Sequence, residues 1–468
     1  MTTALLIAFG LSVIGANNGA PGKNVIVFLV DDLGWKDLGC YGSSFYESPR
    51  IDALAEEAAL FTNAYTPNPV CSPTRAAIMT GRYPSRVGIT DWIPGMTPKN
   101  PRLVTPEDRY NLALREVTIA EVLREQGYQT FYAGKWHLGD EGHFPEDQGF
   151  DINKGGHNKG SPPGGYYAPF KNPKLEDKPE DHYLTDRLTD ECIHFLESRD
   201  QQKPFLLYMA YYTVHTPIQG WDVQDAYFAE KKKTLPNGGE PKTRREHDGL
   251  TRLNQSDHKY AAMVKALDNS VGRILDALES MDLDDQTIII FTSDNGGLTT
   301  LSRIAPTSEL PLRAGKGWCY EGGIRIPTLI RAPGIGATGK KIDTPIISMD
   351  FFPTILDWAG LPLRPDLHRD GLSLKPLLEG KPFQDRPLFW HYPHYHGSTW
   401  KPGAAIRVGD WKLVQSYEWE TVELYNLQDD IGESNDLSEK YPEKTRELLD
   451  KLEELQRETG SKIPYPKS

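Results

Sequence analysis

The sequence predicts an α/β fold, with a central, mostly parallel sheet sandwiched by helices and a small C-terminal α+β subdomain. Three observations predict it. Continuous apolar, β-branched runs recur along the chain, as strands buried on both faces require. Helical segments with one apolar stripe lie between them, the alternation of a parallel sheet covered on both sides. Past about residue 380 the pattern changes to short strands separated by turns, then one last helix. A chain of 468 residues suffices for one large domain and a small one, or for two to three of average size.

The elements follow in order. Residues 1–20, "MTTALLIAFGLSVIGANNGA", carry an apolar run too short to span a bilayer, then small residues. This resembles a secretory signal peptide and predicts a periplasmic or secreted protein, although no Lys or Arg precedes the run. A buried N-terminal element is the alternative. No other segment is apolar enough for a stable membrane association. "NVIVFLV" is the first strand and "PRIDALAEEAALF" the first helix. "TFYAGKWH", "PFLLYMAYYTVH", "QTIIIFTSDN" and "IPTLIRAPG" supply further strands. Over residues 258–280, Tyr260, Met263, Val264, Leu267, Val271, Ile274, Leu275 and Leu278 form one helical stripe. Residues 229–257 are polar and turn-rich and read as a surface insertion. In the subdomain, "PLFWHY", "AAIRVGDWKLVQ" and "TVELYNL" are short strands. The last helix places Leu448, Leu449, Leu452 and Leu455 on one side. The domains are thus 23–380 and 381–468.

A net charge of −13 repels polyanions, which argues against nucleic acid as a partner. An anionic substrate must be drawn in by a local cationic pocket. Four cysteines are too few for a disulfide framework. Cys192 shares a helical face with Leu188, Phe195 and Leu196 and reads as core; Cys40 and Cys319 can pair or stay free.

In open α/β sheets, ligands bind beyond the carboxyl ends of the strands. There the first strand runs into Asp31 and Asp32, and "TIIIFTS" into Asp294 and Asn295. "TFYAG" leads to Lys135 and His137, and "FLLYMAYYTV" to His215. The oxygen-only set Asp31, Asp32, Asp294 and Asn295 suits a hard cation, Ca²⁺ or alternatively Mg²⁺. Taken singly, each has a plainer reading: Asp31 as a helix cap or a partner of Lys36, "SDNGG" as a turn, His215 as a packed histidine. Lys135, Lys316 and Arg75 buried together call for an anion.

Cys71 precedes Ser-Pro-Thr-Arg and a helical run, with Ser72 or Cys71 as the expected cap. A thiol at a helix N-terminus suits an activated nucleophile. A soft thiolate beside a hard cation is a poor match, so an oxygen nucleophile fits better.

The run Cys71-Ser72-Pro73-Thr74-Arg75, followed by Thr80-Gly81-Arg82, resembles the signature of type I sulfatases. "VDDLGWKDLGCYG", "GKWHLG", "VHTP", "SDNGG" and "GKGWCYEGGIRIP" resemble further family blocks in the family's order, over essentially everything after residue 23. Thr74 stands where many members have Ser. The resemblance implies an alkaline-phosphatase-like catalytic domain and oxidation of Cys71 to formylglycine by a formylglycine-generating enzyme. It implies that Asp31, Asp32, Asp294, Asn295 and the modified residue 71 hold Ca²⁺. Arg75 would orient the formylglycine hydrate; Lys135, His137, His215 and Lys316 would bind sulfate or move protons. One hydroxyl of the hydrate attacks sulfur, with Asp294 as base and His215, assisted by Lys316, as acid for the leaving alcohol. The second hydroxyl then yields its proton to His137 and sulfate is eliminated.

Three long loops, residues 155–173, 91–103 and 391–403, are rich in aromatic, Gly, His and Lys residues and suit the rim of a sulfated-sugar site. They resemble those of bacterial polysaccharide sulfatases, with a lean to galactose-type sugars; endo or exo action stays open. His391, His394 and His396 lack companions for a zinc site and read as rim or structural residues. Two rival functions remain: a phosphate or phosphonate monoester hydrolase, and a non-catalytic sulfated-glycan-binding protein.

Overall fold

The computed structural model describes residues 23–334 and 336–467; the expected leader at 1–20 lies outside the described residues. Eight strands form the central sheet: β1 (Asn24–Val30), β2 (Ala59–Phe61), β3 (Gln129–Gly134), β4 (Ile152–Lys154), β5 (Phe205–Ala210), β6 (Thr287–Ser293), β7 (Thr328–Arg331) and β8 (Lys341–Ile342). Their spatial order is β8-β2-β7-β6-β1-β5-β3-β4. Only β7 runs against its neighbours.

All seven residues of β1 are buried, which is why its sequence shows no alternation. Ile26, Phe28 and Val30 face one layer; Val25, Val27 and Leu29 face the other. Each such buried aliphatic side chain contributes about 1.5–3 kcal/mol through removal from water. The first layer holds α1 (Pro49–Glu57), α3 (Leu184–Ser198) and α4 (His258–Ser280). The second holds α2 (Cys71–Thr80) and α5 (Phe351–Ala359). Along α4 the expected stripe is buried except Leu275, which is half-buried. Asp257 caps this helix by accepting from the amides of Lys259 and Tyr260.

The antiparallel sheet β9 (Leu388–Tyr392), β10 (Gly403–Val408), β11 (Trp411–Ser416) and β12 (Thr421–Asn426) follows, with α6 (Pro442–Thr459) across it. Leu448 and Leu452 of α6 are buried against this sheet, while Leu449 and Leu455 are half-buried. Trp318, Met349 and Tyr65 of the large domain share that core. Lys412 pairs at 2.9 Å with Glu321 and at 2.7 Å with Glu433, all fully buried at the same seam.

The polar stretch 229–257 contains a β-hairpin, Thr243–Glu246 with Gly249–Arg252, whose second strand pairs with Thr300–Leu301. Its outer strand is mostly exposed and its inner strand mostly buried. Cys40, Cys71, Cys192 and Cys319 are all free thiols, so Cys40 and Cys319 do not pair. No helix among the described residues is long and apolar enough to cross a membrane.

Candidate active site

The ends of β1, β5, β6 and β3 converge on one buried cluster. The Asp294 amide donates to Val30 O at 3.0 Å and the Asp31 amide to Thr213 O at 3.1 Å, which extends the ladder past the strands. Both carboxylates are thereby held side by side. Asp32 turns the chain with φ of 61°, a left-handed conformation that costs a non-glycine residue about 1–3 kcal/mol and clusters at functional sites. Its amide donates to Asp294 Oδ1 at 3.2 Å. Arg75 Nε donates to Asp294 Oδ2 at 2.9 Å, and Arg75 Nη1 to Lys135 O at 2.8 Å. Lys135 Nζ donates to Asp31 Oδ2 at 2.7 Å. Lys316 Nζ and Asn295 Nδ2 donate to Asp32 Oδ1 at 2.6 and 2.8 Å.

Three carboxylates thus face three cations, all buried. Burial opposes ionisation of Asp32, but Lys316 and His215 outweigh it and hold its carboxyl below the usual range. Burial likewise opposes ionisation of Asp294, and Arg75 outweighs it. For Asp31, burial and then the neighbouring Asp294 and Asp32 win over Lys135 and raise the pKa. Two oxygens, Asp31 Oδ1 and Asn295 Oδ1, are buried without a hydrogen-bond partner among the described residues. Orphan acceptors of this kind in a shared cluster are what a bound cation satisfies.

Cys71 opens α2, so the helix starts at the residue expected to cap it, and Val70 is the cap. The shift has a cause: Ser72 Oγ is taken by the Ile93 amide of the rim loop at 3.2 Å, and Thr74 Oγ1 donates back to Asn68 O on the approach to the helix at 2.9 Å. Cys71 Sγ lies 3.3 Å from His137 Nδ1. His137 Nε2 is 2.5 Å from Ile93 O, an acceptor only, so Nε2 carries the proton and Nδ1 offers its lone pair to residue 71. Burial, then Lys135, pushes the His137 pKa well down and keeps the ring neutral. His137 also has a left-handed backbone, φ 58°. A Cβ on Gly160 would sit 2.4 Å from its Cε1, so only glycine admits the ring there.

These residues frame a cavity of about 670 Å³, within the range of small-molecule sites. Asp32, Cys71, His137, His215 and Lys316 line it. Asp31, Arg75, Lys135, Asp294 and Asn295 lie behind them. Lys135 Nζ, expected to meet sulfate or move a proton, donates to Asp31 Oδ2, which has no other donor among the described residues. His215 Nδ1 is 2.8 Å from Thr216 O, and its Nε2 is 3.9 Å from Asp32 Oδ2. Burial and Lys316 lower its pKa to about 3. Asp31, Asp32 and His215 bring ligand atoms within 4.8 Å of one another.

Residues 23–361 match the family described as Sulfatase. The chain belongs to the sulfatase family. Residues 314–458 match the C-terminal region of N-sulphoglucosamine sulphohydrolase. The sulfatase is 33% identical to human arylsulfatase A, over 97% of this chain and 89% of that one. It is 32% identical to a sulfatase of Formosa agariphila, over 95% and 92% of the two chains. Among solved structures, "Ps i-CgsB in complex with k-i-k-neocarrahexaose" superposes with a TM-score of 0.74 at 31% identity, covering 93% of this chain and 92% of that one. The fold is alkaline-phosphatase-like, and the chain is a sulfuric ester hydrolase.

All three expected rim loops reach the sulfatase's cavity, through Trp92 and Pro94, Asn158 and Lys159, and His396 and Ser398. The three subdomain histidines point to different partners. His391 Nε2 donates to Lys462 O at 3.0 Å, His394 Nε2 meets Thr90 Oγ1 at 2.8 Å, and His396 Nδ1 meets Ser398 Oγ at 2.8 Å. Sequence reasoning missed several supports. Glu309 accepts from the Gly297 and Trp35 amides and Asp37 from Gly34, bracing the turns that carry Asn295 and Asp32. Asp91 accepts from Tyr392 of the subdomain at 2.8 Å, one residue before Trp92 of the rim. Asp37 stood inside the "VDDLGWKDLG" block; Glu309 and the Ile93 carbonyl left no signal.

Proposed function

We propose that this sulfatase hydrolyses sulfate monoesters on a sulfated carbohydrate, with residue 71 in its formylglycine form. The observation that carries the reading is the meeting of Cys71 with the His137 lone pair in a cavity also lined by Asp32, His215 and Lys316. Asp31, Asp32, Asp294 and Asn295, with residue 71, would hold Ca²⁺; the orphan Asp31 Oδ1 and Asn295 Oδ1 support that set. When bound, the cation supplies charge stabilisation to the reacting oxygens. As a hydrate, formylglycine supplies one hydroxyl to attack sulfur and a second to expel sulfate.

The chain's own groups do the rest. The three cations only balance the three carboxylates, so an added divalent ion leaves the site positive and ready for an anionic ester. Asp294 is held in its proton-accepting form by Arg75, which stands one helical turn from residue 71 on α2. His137 Nδ1 is the acceptor for the proton at residue 71. Delivery of a proton to the leaving alcohol is assigned to Lys316, kept charged by Asp32, with His215 beside the same carboxylate. The relative crystallised with a neocarrahexaose supports a carbohydrate substrate, as do the aromatic rim and a cavity closed by subdomain residues.

The test uses protein from a host able to modify Cys71. Mass spectrometry of the peptide holding residue 71 reads the modification, and sulfate release is followed on defined sulfated sugars with and without chelator. Activity lost on chelation and restored by Ca²⁺ is expected. A strong preference for an aryl phosphonate over the matching aryl sulfate, or no sulfate release from fully modified protein, overturns the reading.

A further inference from the structure

A second cavity of about 340 Å³ adjoins the first, and Thr216 and Arg303 line both. Its other walls include Lys232, Arg252, Asp257 and Lys259. Most of these come from the polar stretch 229–257, which gives that stretch a place beside the active site. The hairpin of the stretch also fixes the doorway: Thr300–Leu301, just before Arg303, is paired to Gly249–Arg252.

The charges in this cavity are unusual for a chain of net charge −13. Lys232, Lys259 and Arg303 make no ion pair and no side-chain hydrogen bond among the described residues, and neither does Lys159 on the rim of the first cavity. Lys259 and Arg303 are exposed and Lys232 is half-buried. Arg252 is committed to Ala305 O, Asn254 O and Ser256 Oγ. Asp257 is the one carboxylate in the wall, and its Oδ1 already accepts two amides of α4. His258 faces Asp225 at 3.6 Å. Exposed or half-buried cations gathered along one trench, none of them in an ion pair, form a receptor for an external anion.

We propose that the substrate is a glycan chain bearing a further anionic group, a sulfate or a carboxylate, which the basic cavity beyond Thr216 and Arg303 receives. The proposal rests on the sulfated-carbohydrate reading above. The scissile ester occupies the first cavity, and the chain passes Arg303 so that a neighbouring charged sugar meets Lys232 and Lys259. The site would then discriminate against singly charged monosaccharides by affinity.

The experiment measures binding of fluorescently labelled tetrasaccharides by anisotropy, from carrageenan (sulfate only) and from chondroitin sulfate (sulfate and carboxylate). Wild-type enzyme is compared with the double variant Lys232→Ala, Lys259→Ala, and hydrolysis of p-nitrophenyl sulfate is followed in both. The double variant is expected to bind about tenfold more weakly, a few-fold for each exposed ion pair lost, with a shallower dependence on salt. Hydrolysis of the aryl sulfate is expected to be unchanged. Loss of affinity for the carrageenan tetrasaccharide identifies the group as a sulfate, and loss confined to the chondroitin sulfate tetrasaccharide identifies it as the carboxylate. Equal affinity in both proteins, or tetrasaccharide affinity no higher than that of a monosulfated monosaccharide, overturns the proposal. Charge-dependent binding without any sulfate release would sustain it and defeat the hydrolase reading alone.

Discussion

Residue 71 concentrates the chemistry, because its atom faces a histidine whose tautomer is set by a backbone carbonyl. Replacing Cys71 with Ala or Ser should lower sulfate release by at least about three orders of magnitude, as loss of a covalent nucleophile does. Serine fails too in a host that modifies only cysteine, and kinetics on an aryl sulfate check both variants. A second residue-scale effect belongs to His391, buried in the subdomain with its pKa lowered to about 4 by burial. The unfolded chain binds this proton near pH 6.5 and the folded chain does not, so stability is present above pH 6.5 and falls as pH drops toward 4. His391→Gln should remove up to about 3 kcal/mol of that acid-induced loss, read from urea unfolding at pH 7 and pH 4.5.

At the scale of elements, strand exits and short turns decide the site. Gly160→Ala drives a methyl into the His137 ring, 2.4 Å from Cε1. The variant should lose at least about tenfold in kcat, since small misplacements of catalytic groups are costly, with KM changed less. Steady-state kinetics on enzyme of verified formylglycine content would show it. The strands themselves were legible because β1, β3, β5 and β6 are buried on both faces and therefore read as unbroken apolar runs. Polar residues directly after such runs stood out for the same reason, which made Asp31, Asp32, Asp294 and Asn295 visible. The reversed direction of β7 was not legible, because pairing direction leaves no mark on a buried apolar run. Nor was the hairpin in 229–257: its outer strand is exposed and carries charges, so it reads as loop. Lys135 was visible as a cation, but its commitment to Asp31 depends on packing and not on spacing.

For the whole molecule, the seam between the domains is itself ionic. Lys412 lies between Glu321 and Glu433 with no exposure, and Arg325 donates to Glu321 from the other side. Lys412→Met would leave buried carboxylates underpaired and should cost about 3–5 kcal/mol. Thermal and urea unfolding measure it, and rescue by adding Glu433→Gln would tie the loss to charge rather than to volume. The same union of parts constrains how the enzyme can acquire new substrates. Ile93 sits on the rim, yet its amide is tied to Ser72 beside the nucleophile and its carbonyl sets the protonation of His137. Redesign for a different sugar therefore has freedom in the loop around Ser398 and at Asn158 and Lys159 short of Gly160, whereas any change of path at Ile93 would disturb the proton acceptor along with the fit.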